Sequence, residues 1–101
     1  MADAKSVSGP VLLARLKAVL GRETGNSPED IKVSDALTNY FDPVPAGVIG
    51  FGPTLNDSPE FSPDGLGLMP KDIRTLKSSD TVGSLHEVIK KWYRDNGWTV
   101  T

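Results

Sequence analysis

Apolar residues recur at three- and four-residue intervals near the start of the chain, a pattern that predicts an amphipathic helix. We expect this helix to run from about residue 10 to about residue 21. Pro10 suits its first turn because the missing N–H would have no partner there, and Gly21 or Gly25 can end it. Its apolar positions are Val11, Leu12, Leu13, Leu16, Val19 and Leu20.

A second amphipathic pattern predicts another helix, which begins near residue 82. We expect residues 78–80 to cap its start and Asn96-Gly97 to stop it, after which Trp98 and Val100 fold back against its last turn. Its apolar positions are Val82, Leu85, Val88, Ile89, Trp92 and Tyr93.

The middle of the chain contains short turn patterns and a segment rich in proline and glycine. Turns are predicted at residues 26–30 and 34–37, and a short helix at residues 70–76. Residues 42–67 contain five prolines and five glycines, which disfavour a long helix. The same segment has too many apolar residues for a disordered linker, so we expect an ordered loop packed on the helices.

These patterns predict one all-α domain over residues 1–101, because no segment shows the alternation of a strand. The chain has no cysteine and a single histidine, His86, so neither a disulfide nor a structural zinc site is expected. No apolar run approaches the length needed to span a bilayer, and the first residues do not resemble a signal peptide. We therefore expect a cytoplasmic protein that does not bind membranes.

The charge is unevenly distributed along the chain. Residues 26–66 contain one basic and seven acidic side chains, whereas the overall net charge is −2. An acidic centre repels phosphate backbones, so nucleic-acid binding is disfavoured. It favours a protein partner with a basic docking surface.

Candidate chemical sites in the sequence are weak. The glycines of residues 47–52 match neither nucleotide-binding fingerprint, and no strand precedes them. His86 lacks a clear nucleophile, and the acids Asp57, Glu60 and Asp64 lack the spacing of a calcium loop. We expect no metal site and no enzymatic activity.

Several short motifs resemble the acyl and peptidyl carrier proteins. They are the Ser-Pro-Glu-Asp-Ile-Lys run at residues 27–32, Leu37, Asp72-Ile73, Leu76 and the Thr-Val-Gly-Ser-Leu-His-Glu-Val-Ile run at residues 81–89. The resemblance implies a small helical bundle in which Ile31 and Val82 are packed inside. It also implies an Asp-Ser-Leu triplet opening the second helix, where the serine bears a 4'-phosphopantetheine arm.

This sequence has no such triplet. Its only Asp-Ser pair is Asp57-Ser58, followed by prolines and a glycine where helical turns would be required. The interpretation is a carrier-like bundle in which the ordered loop at residues 42–67 replaces or shortens the second helix.

Two functions remain open from the sequence. The first is a non-enzymatic adaptor without a cofactor, whose loop docks a partner protein through Phe51, Leu55 and Phe61 with Asp57 and Glu60 at the rim. The alternative is a specialised acyl or aminoacyl carrier phosphopantetheinylated at Ser58.

Overall fold

The structure, a computed structural model, describes residues 5–101, and these residues are mostly helical, as predicted. The described helices are α1 (Gly9–Thr24), α2 (Ala46–Asp57), α3 (Pro70–Ile73) and α4 (Val82–Asp95). Two short strands, β1 (Ser6–Val7) and β2 (Thr99–Val100), lie at either end of this range. Short 3-10 turns occupy Pro28–Asp30, Leu37–Asn39 and Ser62–Asp64.

Helix α1 forms where the apolar periodicity predicted it and extends a few residues further. The Ser8 hydroxyl caps its start by accepting a hydrogen bond from the N–H of Val11 at 3.2 Å. Gly25 ends it in the left-handed conformation at φ +76°, and its N–H donates to the carbonyl of Gly21. The buried stripe of α1 consists of Leu12, Leu16, Val19 and Leu20.

Helix α4 forms as predicted, but its N-terminal cap lies one residue later than expected. Thr81 and Ser84 form the cap by exchanging hydrogen bonds between backbone N–H groups and hydroxyl oxygens, at 3.1 and 3.3 Å. Asp80, which was predicted to cap the helix, instead accepts a bond from the N–H of Lys77 at 2.7 Å. Gly97 follows the helix with φ +90°.

The main correction concerns residues 42–67, where the predicted loop contains the twelve-residue helix α2. Val48, Phe51, Gly52 and Leu55 are buried on one side of it, at three- and four-residue spacing. Burying this stripe outweighs the unfavourable helix propensity of the glycines and of Pro53. Residues 46–57 are therefore helical, and the prediction of an ordered loop over residues 42–67 was wrong for this stretch.

The prolines and glycines of α2 occupy positions that tolerate them. Pro45 precedes the first helical residue, and Pro53 lies on the exposed side. Gly52 permits close packing on α3, because a Cβ there would lie 3.1 Å from Cδ1 of Ile73. Apart from the neighbouring residues and backbone of its own helix, no heavy atom lies within 4 Å of a Cβ placed on Gly50.

The two ends of the described chain lie side by side. Ser6 pairs with Thr99 and Val7 with Val100 in a parallel ladder that the sequence did not predict. Trp98 folds back on α4, as predicted, and its ring meets that of Tyr93 edge to face at a centroid distance of 5.1 Å. The buried apolar residues of the described chain form one continuous core.

Candidate functional site

The three apolar residues predicted to contact a partner lie in the core. The exposed fractions of Phe51, Leu55 and Phe61 are 7%, 0% and 0%. The ring of Phe51 packs against that of Phe41 at a centroid distance of 5.1 Å. The expectation that these side chains form a docking surface is corrected, because the apolar stripe of α2 faces inward.

The two acids predicted at the rim have different environments. Asp57 is exposed at the last residue of α2. Glu60 binds Arg22 of α1 through two hydrogen bonds of 2.9 Å, and this interaction lowers the pKa of Glu60. Glu60 therefore joins the chain after α2 to α1, and Asp57 stays available to solvent.

Ser58, the alternative attachment residue, is 4% exposed. Its hydroxyl donates to the carbonyl of Leu55 at 2.7 Å and accepts from the N–H of Phe61 at 3.3 Å. The residue ends α2 rather than beginning a helix, and only a turn and a 3-10 segment follow it. A modifying enzyme would have to break this buried arrangement to reach the oxygen.

The remaining chemical candidates are engaged in structural contacts. His86 is 8% exposed, and its Nε2 lies 2.9 Å from the carbonyl oxygen of Gly9. Burial lowers the pKa of His86. Asp64 accepts hydrogen bonds from Arg15 and Tyr93. Within residues 5–101, no three acidic or histidine side chains lie together as metal ligands would.

The water-facing side of α2 is uncharged up to its last residue, Asp57, and we call this uncharged part the α2 outer face. It consists of Ala46, Ile49, Gly50, Pro53 and Thr54. Ala46, Gly50 and Pro53 are exposed, whereas the other two are half-buried.

Exposed aspartates stand at both ends of this face. Asp42 precedes α2 and Asp57 is its last residue, and residues 43–56 between them contain no charged side chain. The α2 outer face is therefore an uncharged surface with a negative charge at each end. The acidic character of this region was predicted from the sequence, but Phe51, Leu55 and Phe61 were expected at its surface and are buried.

A second surface feature is a groove of about 510 Å³ between α4 and the segment at residues 67–75, which we call the α3–α4 groove. Asn56 of α2 positions this segment, because its side chain exchanges two hydrogen bonds with the backbone of Leu68, at 2.9 and 3.0 Å. The groove is lined by Gly67, Met69, Lys71, Asp72, Thr75, Val88, Lys91, Trp92, Asp95 and Asn96.

The groove was not predicted from the sequence. Trp92 was expected inside the core because of its spacing, whereas its side chain is half-buried at the groove. Met69 is 55% exposed, which is unusual for a large apolar side chain. These two residues are 23 positions apart in the sequence, so only the fold brings them to one place.

None of the helices described within residues 5–101 has the length and apolar character needed to cross a membrane. A scan of protein-family models and searches of curated proteins and of solved structures found no match to this chain.

Proposed function

We propose that this protein is a small non-enzymatic interaction module on a carrier-protein-like helical scaffold, and that the α2 outer face binds a partner protein with a basic surface. The observation that supports this proposal is the lack of any charged residue between Asp42 and Asp57 on a helix that faces water. Helices at a protein surface usually carry charged residues on the side away from the core.

The other two long helices follow that usual pattern. Helix α1 carries Arg15, Lys17 and Arg22, and α4 carries Lys90, Lys91 and Arg94 among other charged residues. A partner that covers the α2 outer face has no charged side chain to remove from water at its centre. The desolvation cost at the centre of the contact is therefore small, and Ile49 adds apolar area to the contact.

The charges at the two ends of the face favour a particular kind of partner. Asp42 and Asp57 are exposed, and Asp57 is the only charged residue within α2. Basic side chains placed opposite these aspartates would steer the encounter and select the partner. This is the same class of partner that the acidic centre of the sequence predicted.

The carrier-like scaffold is supported by the order of the helices and by the residues that carried the resemblance. Ile31 and Val82 are 1% and 0% exposed. The N–H groups of Val82 and Gly83 donate to the carbonyls of Asp35 and Val33, both at 2.9 Å, which joins the long connection after α1 to the start of α4.

The proposed module lacks the attachment function because residues 42–57 contain no serine. Helix α2 begins after Pro45, where the family resemblance would require an Asp-Ser-Leu triplet. Ser58 stands at the opposite end of the helix with its hydroxyl buried. These observations favour the adaptor over the carrier.

Gly50 offers a direct test of the proposed face. Gly50→Lys places a long cation in the middle of the face, where it would block contact and repel a basic partner. Gly50→Ala is the matched control, because it keeps the face small and uncharged. Both variants should fold, since nothing lies within 4 Å of the new Cβ.

The measurement is photo-crosslinking from a reactive amino acid at exposed position 53, carried out in an extract of the source cells. We expect a discrete cross-linked partner with the wild type and with Gly50→Ala, and its loss with Gly50→Lys. A cross-link of equal yield in both variants, or none with the wild type, contradicts the proposed face.

Intact-mass measurement after incubation with a phosphopantetheinyl transferase and coenzyme A tests the adaptor against the carrier. We expect no phosphopantetheine mass gain. A gain that disappears in Ser58→Ala would establish the carrier function instead.

A further inference from the structure

The α3–α4 groove presents hydrogen-bond donors that have no partner in the described chain. Within residues 5–101, neither Nζ of Lys71 nor Nε1 of Trp92 makes a hydrogen bond or ion pair, and both residues line the groove. Every fully buried side-chain nitrogen and oxygen in the described residues has a partner, so the indole nitrogen of Trp92 reaches solvent. A lysine ammonium and an indole N–H act only as donors.

The acidic groups of the groove already accept hydrogen bonds. Oδ2 of Asp72 accepts from the N–H of Met69 at 2.8 Å, and Oδ2 of Asp95 accepts from Nζ of Lys91 at 2.5 Å. The charge of Lys91 is therefore balanced by its neighbour on the next turn of α4. Lys71 is the groove cation that lacks such a partner in the described chain.

The rest of the groove supplies an apolar wall. Met69 is 55% exposed, and Val88 and Trp92 are half-buried. A methionine side chain is flexible enough to fit ligands of different shape, and a tryptophan offers a large flat contact with a polar edge. The edge of the Trp92 ring lies beside Gly67, where a Cβ would be 3.9 Å from Nε1.

We propose that the α3–α4 groove binds a small organic acid that consists of an apolar group and one carboxylate. The carboxylate accepts from Lys71 and from the indole N–H of Trp92, and the apolar group lies against Met69, Val88 and the Trp92 ring. The volume of about 510 Å³ lies within the usual range for small-molecule sites, about 300 to 1,000 Å³. This inference does not depend on the proposed role of α2.

Hydrocinnamate is a suitable probe because it joins a phenyl ring to a carboxylate by a short chain. Nitrogen-edited NMR spectra resolve the indole N–H signals of Trp92 and Trp98 separately, and Trp92→Phe assigns them. We expect hydrocinnamate to move the Trp92 signal saturably, with a dissociation constant in the millimolar range that is usual for so small a ligand. Trp98 does not line the groove, so its signal should stay in place.

The neutral amide of the same acid separates the carboxylate contribution from apolar contact. We expect the amide to bind about two- to fivefold more weakly than the acid, the range for a partly exposed ion pair. Lys71→Gln should weaken binding of the acid by the same factor and leave the amide unchanged. Lys77→Gln is the matched control, because it removes one exposed charge outside the groove and should alter neither ligand.

Three results would overturn the proposal. They are equal affinity for acid and amide, an acid affinity unaffected by Lys71→Gln, and equal movement of the Trp92 and Trp98 signals. The absence of any saturable shift up to about 10 mM hydrocinnamate would overturn it as well.

Discussion

Arg15 and Tyr93 donate hydrogen bonds to the same carboxylate oxygen, Oδ2 of Asp64, at 2.7 and 2.9 Å. The contact joins α1 and α4 to the 3-10 turn at Ser62–Asp64. Tyr93 is completely buried, so its hydroxyl needs this partner to avoid an unpaired polar group in the core. The pKa of Tyr93 is raised mainly by its burial and to a lesser extent by its hydrogen bond to Asp64.

We expect Tyr93→Phe to lower the free energy of unfolding by about 1.5 to 3 kcal/mol, because a buried hydrogen bond to a charged group is lost. The change is measured as a shift of the urea midpoint at constant slope. Tyr40→Phe is the matched control, since its hydroxyl donates to Asp35 at 2.7 Å but the residue is only half-buried. An equal loss of unfolding free energy in both variants would contradict the expectation that the buried hydrogen bond to Asp64 contributes more than the half-buried one to Asp35.

The stability of the protein should fall as the pH drops below the ordinary pKa of histidine. Burial lowers the folded pKa of His86 below 6.5, and the nearby Lys90 charge lowers it further, against the opposing effects of the Gly9 carbonyl and Glu87. The unfolded chain therefore takes up a proton before the folded chain does. The stabilising effect is complete above about pH 6.5 and is lost as the pH falls toward the folded pKa.

The variant His86→Gln tests this pH dependence. We expect the wild type to lose more unfolding free energy than the variant between about pH 7.5 and about pH 5.5, measured by urea denaturation. Carboxylates affect the pH dependence of the unfolding free energy equally in wild type and variant. The difference between the two curves therefore measures the contribution of His86. Parallel curves would show that His86 has the same pKa in the folded and unfolded states.

Two glycine substitutions test whether α2 is a helix packed on α3. Gly50→Ala should raise the free energy of unfolding by about 0.5 to 1 kcal/mol, because alanine favours a helix and the added methyl group meets no atom within 4 Å. Gly52→Ala should be less stable than Gly50→Ala by about 1 kcal/mol, because its Cβ would lie 3.1 Å from Cδ1 of Ile73, which would have to shift by a few tenths of an ångström. If residues 46–57 formed a flexible loop, the two variants would unfold at the same temperature.

Leu85 and Ile89 are completely buried on the inner side of α4. We expect Leu85→Ala or Ile89→Ala to lower the free energy of unfolding by about 2 to 5 kcal/mol, since either leaves a cavity in a packed core. Val11→Ala is the control on α1, because Val11 is 42% exposed, and it should change stability by less than about 0.5 kcal/mol. A small effect of both core substitutions would contradict the packing of α4 observed here.

The sequence predicted α1 and α4 because their apolar spacing, caps and stop signals agree with one another. For α2 these signals disagree. Gly47, Gly50, Gly52 and Pro53 argue against a helix, while Val48, Phe51 and Leu55 have the spacing of a buried helical stripe. Local propensity gave the wrong answer because packing against the rest of the core decides the conformation of this segment.

The surfaces were harder to predict than the helices. An apolar residue in an irregular sequence can face either the core or a partner, and the sequence does not distinguish these positions for Phe51 and Phe61. The groove is lined by residues that are distant in the sequence, such as Met69 and Trp92, so its composition is visible only in the folded chain. The acidic character around α2 was predictable because it is a property of composition alone.

The parallel pairing of β1 with β2 brings Lys5 and Thr101 within reach of a short connecting peptide. The path from Thr101 back along the strand to Lys5 is roughly 13 Å, so a linker of about six residues between them would suffice to join the two ends of the described chain. New ends could then be opened at the exposed turn containing Ser78 and Ser79. Such a circular permutant would keep the same core, so the order in which the helices are synthesised should be dispensable for reaching this fold.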